Sequence, residues 1–167
     1  MRIRPEATGD YAAIAKVTEA AFGRPQEARI VEAIRESDGF VPGLSLVADD
    51  EGEIVGHIIL SYVALGSGAR LLELGPLSVR PDRQREGIGG SLIRASLGIA
   101  DEREEPLVLV LGHPSYYPRF GFRRAAGLGI FPPEGIPDEA WMAVTLSTYR
   151  TELRGKVVFP AAYSVEA

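Results

Sequence analysis

The run Leu107-Val108-Leu109-Val110-Leu111, opened by Pro106, is the feature that most narrows the possible folds. Five apolar residues without alternation read as a strand buried on both faces, the mark of parallel pairing in a sheet covered on both sides. A parallel pair needs a crossover, usually a helix. Ile88, Leu92, Ala95 and Ile99 fall at helical spacing, so a helix is expected over Gly87–Glu102, and Leu71–Val79 reads as the strand before it. Strand, helix and strand make a βαβ unit from Leu71 to Leu111.

The first half of the chain reads differently. Arg2–Arg4 is a short first strand. Thr8 is placed to cap a helix running to Phe22, with Tyr11, Ile14, Ala15 and Thr18 on one side and Gly23 ending it. Pro25 suits the first turn of a second helix, striped by Ile30, Val31 and Ile34. Leu44–Ala48 and Ile54–Val63 read as strands joined by the turn Asp49-Asp50-Glu51-Gly52, and Gly66-Ser67-Gly68 leads into Leu71–Val79. After the buried strand come a short turn or helix over Ser115–Phe120, a strand over Phe122–Ile130 and another over Trp141–Thr148. Phe131-Pro132-Pro133-Glu134-Gly135-Ile136-Pro137 between them cannot be regular structure. One α/β domain over residues 1–167 is expected, its sheet mixed and mostly antiparallel around one parallel pair, with helices flanking it.

Composition removes several chemistries. The chain has no cysteine, which excludes disulfides, iron–sulfur clusters, cysteine-based zinc sites and thiol nucleophiles. Its two histidines, His57 and His113, are too few for a histidine-rich metal centre, so no metal is expected. Eighteen basic against 23 acidic residues give a net charge of −5, a poor match to nucleic acid. No apolar stretch approaches the ~18 residues of a membrane span, and no apolar run follows Arg2 and Arg4, so a cytoplasmic location without membrane association is expected.

The chemistry concentrates between the third strand and the crossover helix, in Val79-Arg80-Pro81-Asp82-Arg83-Gln84-Arg85-Glu86-Gly87-Ile88-Gly89-Gly90. Glycines at a helix start allow close approach to the backbone. The unpaired first-turn amides and the positive end of the helix dipole suit a phosphate or pyrophosphate. No Gly-Lys-Ser/Thr follows, and Leu92 stands where a third glycine would complete G-x-G-x-x-G, so neither a Walker loop nor a dinucleotide fingerprint is present.

Gln84-Arg85-Glu86-Gly87-Ile88-Gly89 resembles the Q/R-x-x-G-x-G/A motif of the GNAT superfamily of N-acetyltransferases. Leu77-Ser78-Val79 with Pro81 resembles the strand end that leads into that motif, and Tyr117-Pro118-Arg119-Phe120-Gly121-Phe122 resembles the family's Tyr-x-x-x-Gly-Phe segment. The two motifs stand in the family's order with the buried strand between them, and the element order is similar over nearly the whole chain. Residues 133–140 resemble those of a bacterial subgroup whose acceptors are mostly unassigned.

The resemblance implies a GNAT fold, acetyl-CoA as co-substrate and an amine as acceptor, with direct transfer. It implies that the backbone over Gln84, Arg85, Glu86, Gly87, Ile88, Gly89 and Gly90 holds the pyrophosphate. Leu77, Ser78 and Val79 would pair with the pantetheine arm, the Val79 N–H facing the thioester carbonyl as an oxyanion donor. Tyr117 matches the position that protonates the departing sulfur. Glu73 lies at the offset of the glutamate base carried by some members.

On a regular strand Glu73 would share a face with Leu77 and Val79, but a bulge at Gly75-Pro76 would turn it to the other face. The other reading of Glu73 is a solvated strand residue, and of Tyr117 an aromatic packed on Phe120 and Phe122. His113 is a second candidate base by its near-neutral pKa, or a loop residue beside the cofactor. His57 reads as structural, Tyr116 as packing, and Asp101–Glu105 as a solvated helix end. Ser115 is placed to cap the tyrosine turn or touch the cofactor, and Arg83 and Arg85 to meet the CoA 3′-phosphate. The acceptor pocket is expected from the first two helices, the His57 strand and the loop 131–140. A non-catalytic CoA or acyl-CoA sensor with the same fold is the alternative, and a homodimer is an open assembly.

Overall fold

The computed structural model describes residues 1–164. In chain order its elements are β1 (Arg2–Pro5), α1 (Tyr11–Phe22), α2 (Gln26–Arg35), β2 (Phe40–Asp50), β3 (Glu53–Leu65), β4 (Arg70–Val79), α3 (Ile88–Glu102), β5 (Leu107–Leu111), β6 (Arg123–Arg124), β7 (Ile130–Phe131), β8 (Trp141–Thr145) and β9 (Gly155–Val158). The main sheet runs β1-β2-β3-β4-β5-β8-β6, and β9 pairs with the far end of β3 and with β7. Only β4–β5 within the main run is parallel. This is the mixed, mostly antiparallel α/β architecture expected, with β4-α3-β5 as its βαβ unit.

Alternation along the strands divides the core. Leu46, Ile58, Leu60, Leu72 and Val110 pack with Ile88, Leu92 and Ile93 of α3. Val47 and Ile59, one residue out of step, pack with Ile14 and Val17 of α1 and Val31 and Ile34 of α2 on the opposite face. A third cluster gathers Leu71, Leu109, Trp141 and Val157 toward the C-terminal segment. Each such buried Leu, Ile or Val contributes about 1.5–3 kcal/mol of transfer free energy.

Several boundaries differ from expectation for identifiable reasons. Thr8 does not cap α1: Thr8–Asp10 is a 3₁₀ turn, and the Asp10 carboxylate takes the Ala7 N–H (2.8 Å) while Arg4 holds it at 2.7 and 3.0 Å. A charge-assisted acceptor outcompetes a hydroxyl. The strand expected over Phe122–Ile130 is two short pieces separated by a 3₁₀ turn, because Gly121 and Gly129 take positive φ (93° and 75°). The last strand stops at Thr145 rather than Thr148, where Asp101 captures the Ser147 N–H and hydroxyl at 2.9 and 3.0 Å. Glu105 is likewise not solvated; it accepts the Tyr62 hydroxyl at 2.6 Å.

His57 is structural. Fully buried, it shares the Ser45 hydroxyl (2.9 Å), which donates to Glu6 (2.6 Å), itself clamped by Arg35 at 2.8 and 3.0 Å. Burial lowers the His57 pKa and keeps the imidazole neutral. Burial alone would raise that of Glu6, but hydrogen bonds from His57, Arg35 and Ser45 pull it down to about 2.

Two irregularities in β4 position everything that follows. Ile58 pairs with Leu77 but Leu60 pairs with Leu74, so one residue of β3, Ile59, opposes two of β4, Gly75 and Pro76, a bulge. The β4–β5 pairing ends at Leu74 and Val110. Next comes Gly75, at φ 141°, followed by a cis bond to Pro76, which has no N–H with which to continue the ladder. The two strands part there, and a V opens between them.

Candidate active site

The V opens into a cleft of about 880 Å³, within the range of small-molecule and cofactor sites. One wall is the edge of β4. Arg80 donates to Val55 at 2.8 Å, so by antiparallel alternation Val79, opposite Gly56, is a non-hydrogen-bonded pair whose N–H and C=O point away from β3 into the V. Leu77 has the same orientation two residues earlier. The Gln84 side chain donates to the outward Val79 carbonyl at 3.1 Å, bracing this edge.

The second wall is the start of α3. Gly87 caps the helix in the left-handed conformation (φ 86°). The first bond of the helix runs from Ser91 N–H to Gly87 O (3.0 Å), leaving the amides of Ile88, Gly89 and Gly90 without intrahelical partners. A Cβ on Gly89 would lie 3.3 Å from the Tyr116 hydroxyl and 3.7 Å from Val79, filling the gap between the helix end and the strand edge. Four arginines, Arg83, Arg85, Arg94 and Arg119, line the cleft, and among the described residues no carboxylate does. A strongly positive cavity thus sits on a protein of net charge −5.

Most sequence-expected binding residues converge here: Leu77, Ser78, Val79, Gln84, Arg85, Gly87, Ile88, Gly89, Gly90 and His113. Glu86 and Ser115 do not line the cleft. The Glu86 side chain turns out to Arg83 (3.0 Å), and the exposed Ser115 offers its carbonyl to Arg119 at 3.4 Å. Arg83 is also tied to Asp50 at 2.8 Å, whereas Arg85 has no acidic partner among the described residues. Sequence reasoning missed Phe22, Arg94, Arg119 and Phe120, and took Tyr116 for packing alone. Arg94 and Arg119 lie over the Phe120 and Tyr116 rings, at 5.0 and 4.7 Å. Such spatial pairing leaves no mark in linear spacing.

Tyr117 lies at the foot of the cleft in a 3₁₀ turn, 8% exposed, edge-on to Tyr116 and Phe122. Its place depends on Gly112: a Cβ there would fall 2.2 Å from the Tyr117 ring. Burial, with the Tyr116 and Glu73 charges adding to it, pushes the phenol well above its usual pKa, so it stays protonated.

Glu73 lies where β4 and β5 part. The bulge sets it on the face of Ser61, opposite α3, while Leu77 and Val79 pack toward α3, so the face expected for a regular strand is corrected. It is not solvated, being 5% exposed. Its carboxylate accepts the Leu111 N–H, just past the last β4–β5 pair, and the Tyr163 hydroxyl at 3.1 Å. Both oxygens come within 3.8–3.9 Å of where a Gly75 Cβ would sit, beside the point where the strands part, although Glu73 is not itself among the residues that line the cleft. Burial raises the carboxyl pKa to about 8, and the two hydrogen bonds oppose that rise.

Of the elements expected around the acceptor, the His57 side chain is itself fully buried, its strand also carries Ser61 beside Tyr163, and in loop 131–140 Ile136 packs against the third core cluster. The C-terminal segment also reaches Glu73, through Tyr163. Among the described residues no cluster of His, Asp or Glu could hold a metal ion, and no helix is long and apolar enough to cross a membrane.

A family model described as an acetyltransferase (GNAT) domain matches residues 2–125. The Escherichia coli K12 protein YjhQ, named an uncharacterized N-acetyltransferase, is 37% identical over 155 residues, covering 89% of this chain and 86% of its own. The solved structure of E. coli YhbS, a GNAT family N-acetyltransferase in complex with CoA, superposes with a TM-score of 0.91 at 26% identity over 99% of this chain and 93% of that one. A GNAT family acetyltransferase from Brucella melitensis in complex with acetyl-CoA gives a TM-score of 0.81 at 36% identity over 97% of each chain. This chain therefore belongs to the GNAT superfamily of N-acetyltransferases.

Proposed function

We propose that the protein transfers an acetyl group directly from acetyl-CoA, bound in this cleft, to an amine. The observation that carries the proposal is the convergence on one arginine-lined cavity of the free α3 amides and the outward Leu77–Val79 edge. The helix end suits the pyrophosphate. The strand edge suits an extended arm carrying amides, which would satisfy the backbone groups left open by the V. The CoA and acetyl-CoA complexes of YhbS and the Brucella protein support the same reading.

In the reaction the amine nitrogen attacks the thioester carbon. A C–N bond forms, the C–S bond breaks, and the developing oxyanion is met by the Val79 N–H. Glu73 takes the proton that the nitrogen must lose, and Tyr117 gives its phenolic proton to the sulfur. The two groups suit opposite duties: a carboxyl at about 8 is a strong base for its type, and a phenol held above its usual range remains an acid. A non-catalytic sensor would have no use for this pair, and nothing in the geometry favours that reading.

Following thiol release from acetyl-CoA across an amine library tests the proposal, since the protein contributes no thiol of its own. Turnover should rise with pH along a limb near 8 that Glu73→Gln abolishes, with kcat falling ~10²–10⁴-fold. An unchanged limb in Glu73→Gln would remove Glu73 as the base.

A further inference from the structure

Tyr163 arrives at Glu73 from the far end of the chain. After β9, Phe159 lies against Trp141 and Tyr163, with ring centroids 5.7 and 5.1 Å apart, and the Tyr163 N–H closes a turn on Pro160 O at 3.0 Å. This packing leaves the phenol little freedom. Its oxygen stands 2.6 Å from Ser61 Oγ and 3.1 Å from Glu73 Oε1.

The direction of these bonds follows from proton counting. An ionised carboxylate only accepts, so the single phenolic proton points to Glu73, and the Ser61 hydroxyl donates to the phenol oxygen. A phenol whose oxygen already accepts is a better donor. With Glu73 ionised, the chain therefore runs Ser61→Tyr163→Glu73. With the Leu111 N–H it supplies two donors to the carboxylate, which lies beside Gly75 where the strands part.

We infer that Tyr163 is a positioning residue: with Ser61 behind it, it stabilises the ionised Glu73 carboxylate and fixes it toward the reacting centre. This inference rests on Glu73 being the base, but its test reads the carboxyl itself and needs no acceptor.

The full chain is labelled with ¹³C at glutamate Cδ, and the Glu73 signal is identified by its loss in Glu73→Gln. Its midpoint is then followed against pH in the wild type, Tyr163→Phe and Ser61→Ala. Tyr163→Phe keeps the ring and removes the donor, so the midpoint should rise by about 1 pH unit, the scale of one hydrogen bond to a charged group. Ser61→Ala should raise it by less. Acetyl-CoA affinity, measured as a thermal shift, should not change in either. A midpoint unmoved in Tyr163→Phe overturns the inference; if that variant does not fold, an unmoved midpoint in Ser61→Ala overturns it. A wild-type pH–turnover limb retained in Glu73→Gln would defeat the base reading instead, whatever the titrations show.

Discussion

The two ends of the V opened by Gly75-Pro76 are built on opposite principles. The α3 end is open, arginine-lined and made of backbone: the unpaired amides of Ile88, Gly89 and Gly90, and a strand edge turned outward. The Glu73 end is more enclosed and made of side chains, with Ser61 and Tyr117 buried and Tyr163 half-buried. The first end would meet a large, highly charged ligand, so it offers donors already fixed in direction by the backbone. The second, which in the proposed reaction moves protons, is buried, and burial sets its proton affinities. One interruption of a parallel pair produces both: beyond it the strand edge is free for a ligand, and at it an amide is left over for Glu73.

That contrast predicts separable defects. The largest effect is expected at the buried end. Tyr117→Phe removes the proposed acid and keeps the packing on Phe122, so kcat should fall ~10²–10⁴-fold while the acetyl-CoA thermal shift persists. Equal loss of both would merge the two ends into one functional unit. At the open end the reverse is expected. Gly89→Val would place a branched side chain between α3 and the β4 edge, weakening acetyl-CoA binding ~10–100-fold, or about 1.4–2.8 kcal/mol. Gly87 is the milder site, since a Cβ there meets nothing within 4 Å and only the positive φ resists it.

The open end was far more legible in the sequence than the enclosed one. A glycine-bearing loop between a strand and a helix is a local pattern, and Gln84–Gly90 announces its geometry within a few residues. The apolar run 107–111 and the helical spacing after Gly87 were equally local, and both appear where expected. The floor depends on separations that spacing does not encode: Ser61 to Tyr163 spans 102 positions, and Tyr163 to Glu73 spans 90. The face taken by Glu73 turned on one bulge. Gly75-Pro76 signals an irregularity there, but not which way the count will shift.

A third test concerns stability. The Glu73 carboxyl has its pKa raised to about 8 in the fold, so its contribution is fully favourable below about 4.5, where it is protonated folded or unfolded. As pH rises toward 8 the unfolded state ionises first, and stability is lost across that window. Glu73→Gln removes this penalty. It should raise stability at pH 8 by roughly 1–3 kcal/mol, a Tm gain of several degrees, with little gain at pH 4.5. A Tm difference independent of pH would mean the carboxyl is not dry, and the contrast between the two ends would weaken.

The smallest effect separates two neighbouring arginines. Arg85 lines the cleft without an acidic partner among the described residues, whereas Arg83 is shared between Asp50 and Glu86. A phosphate can recruit Arg85 at no cost to an existing ion pair, but must compete with two carboxylates for Arg83. Arg85 also has a positive φ of 68°, and alanine, which likewise carries a Cβ, leaves that backbone strain unchanged. Arg85→Ala therefore isolates the charge. It should weaken acetyl-CoA binding about 2–5-fold in dilute buffer, the scale of an exposed ion pair, and by less at 0.5 M salt, where screening shortens the reach of the guanidinium. Arg83→Ala should weaken it less than Arg85→Ala at either ionic strength. The opposite ranking would mean that the phosphates displace the carboxylates from Arg83, and that the open end is rearranged by its ligand rather than built in advance.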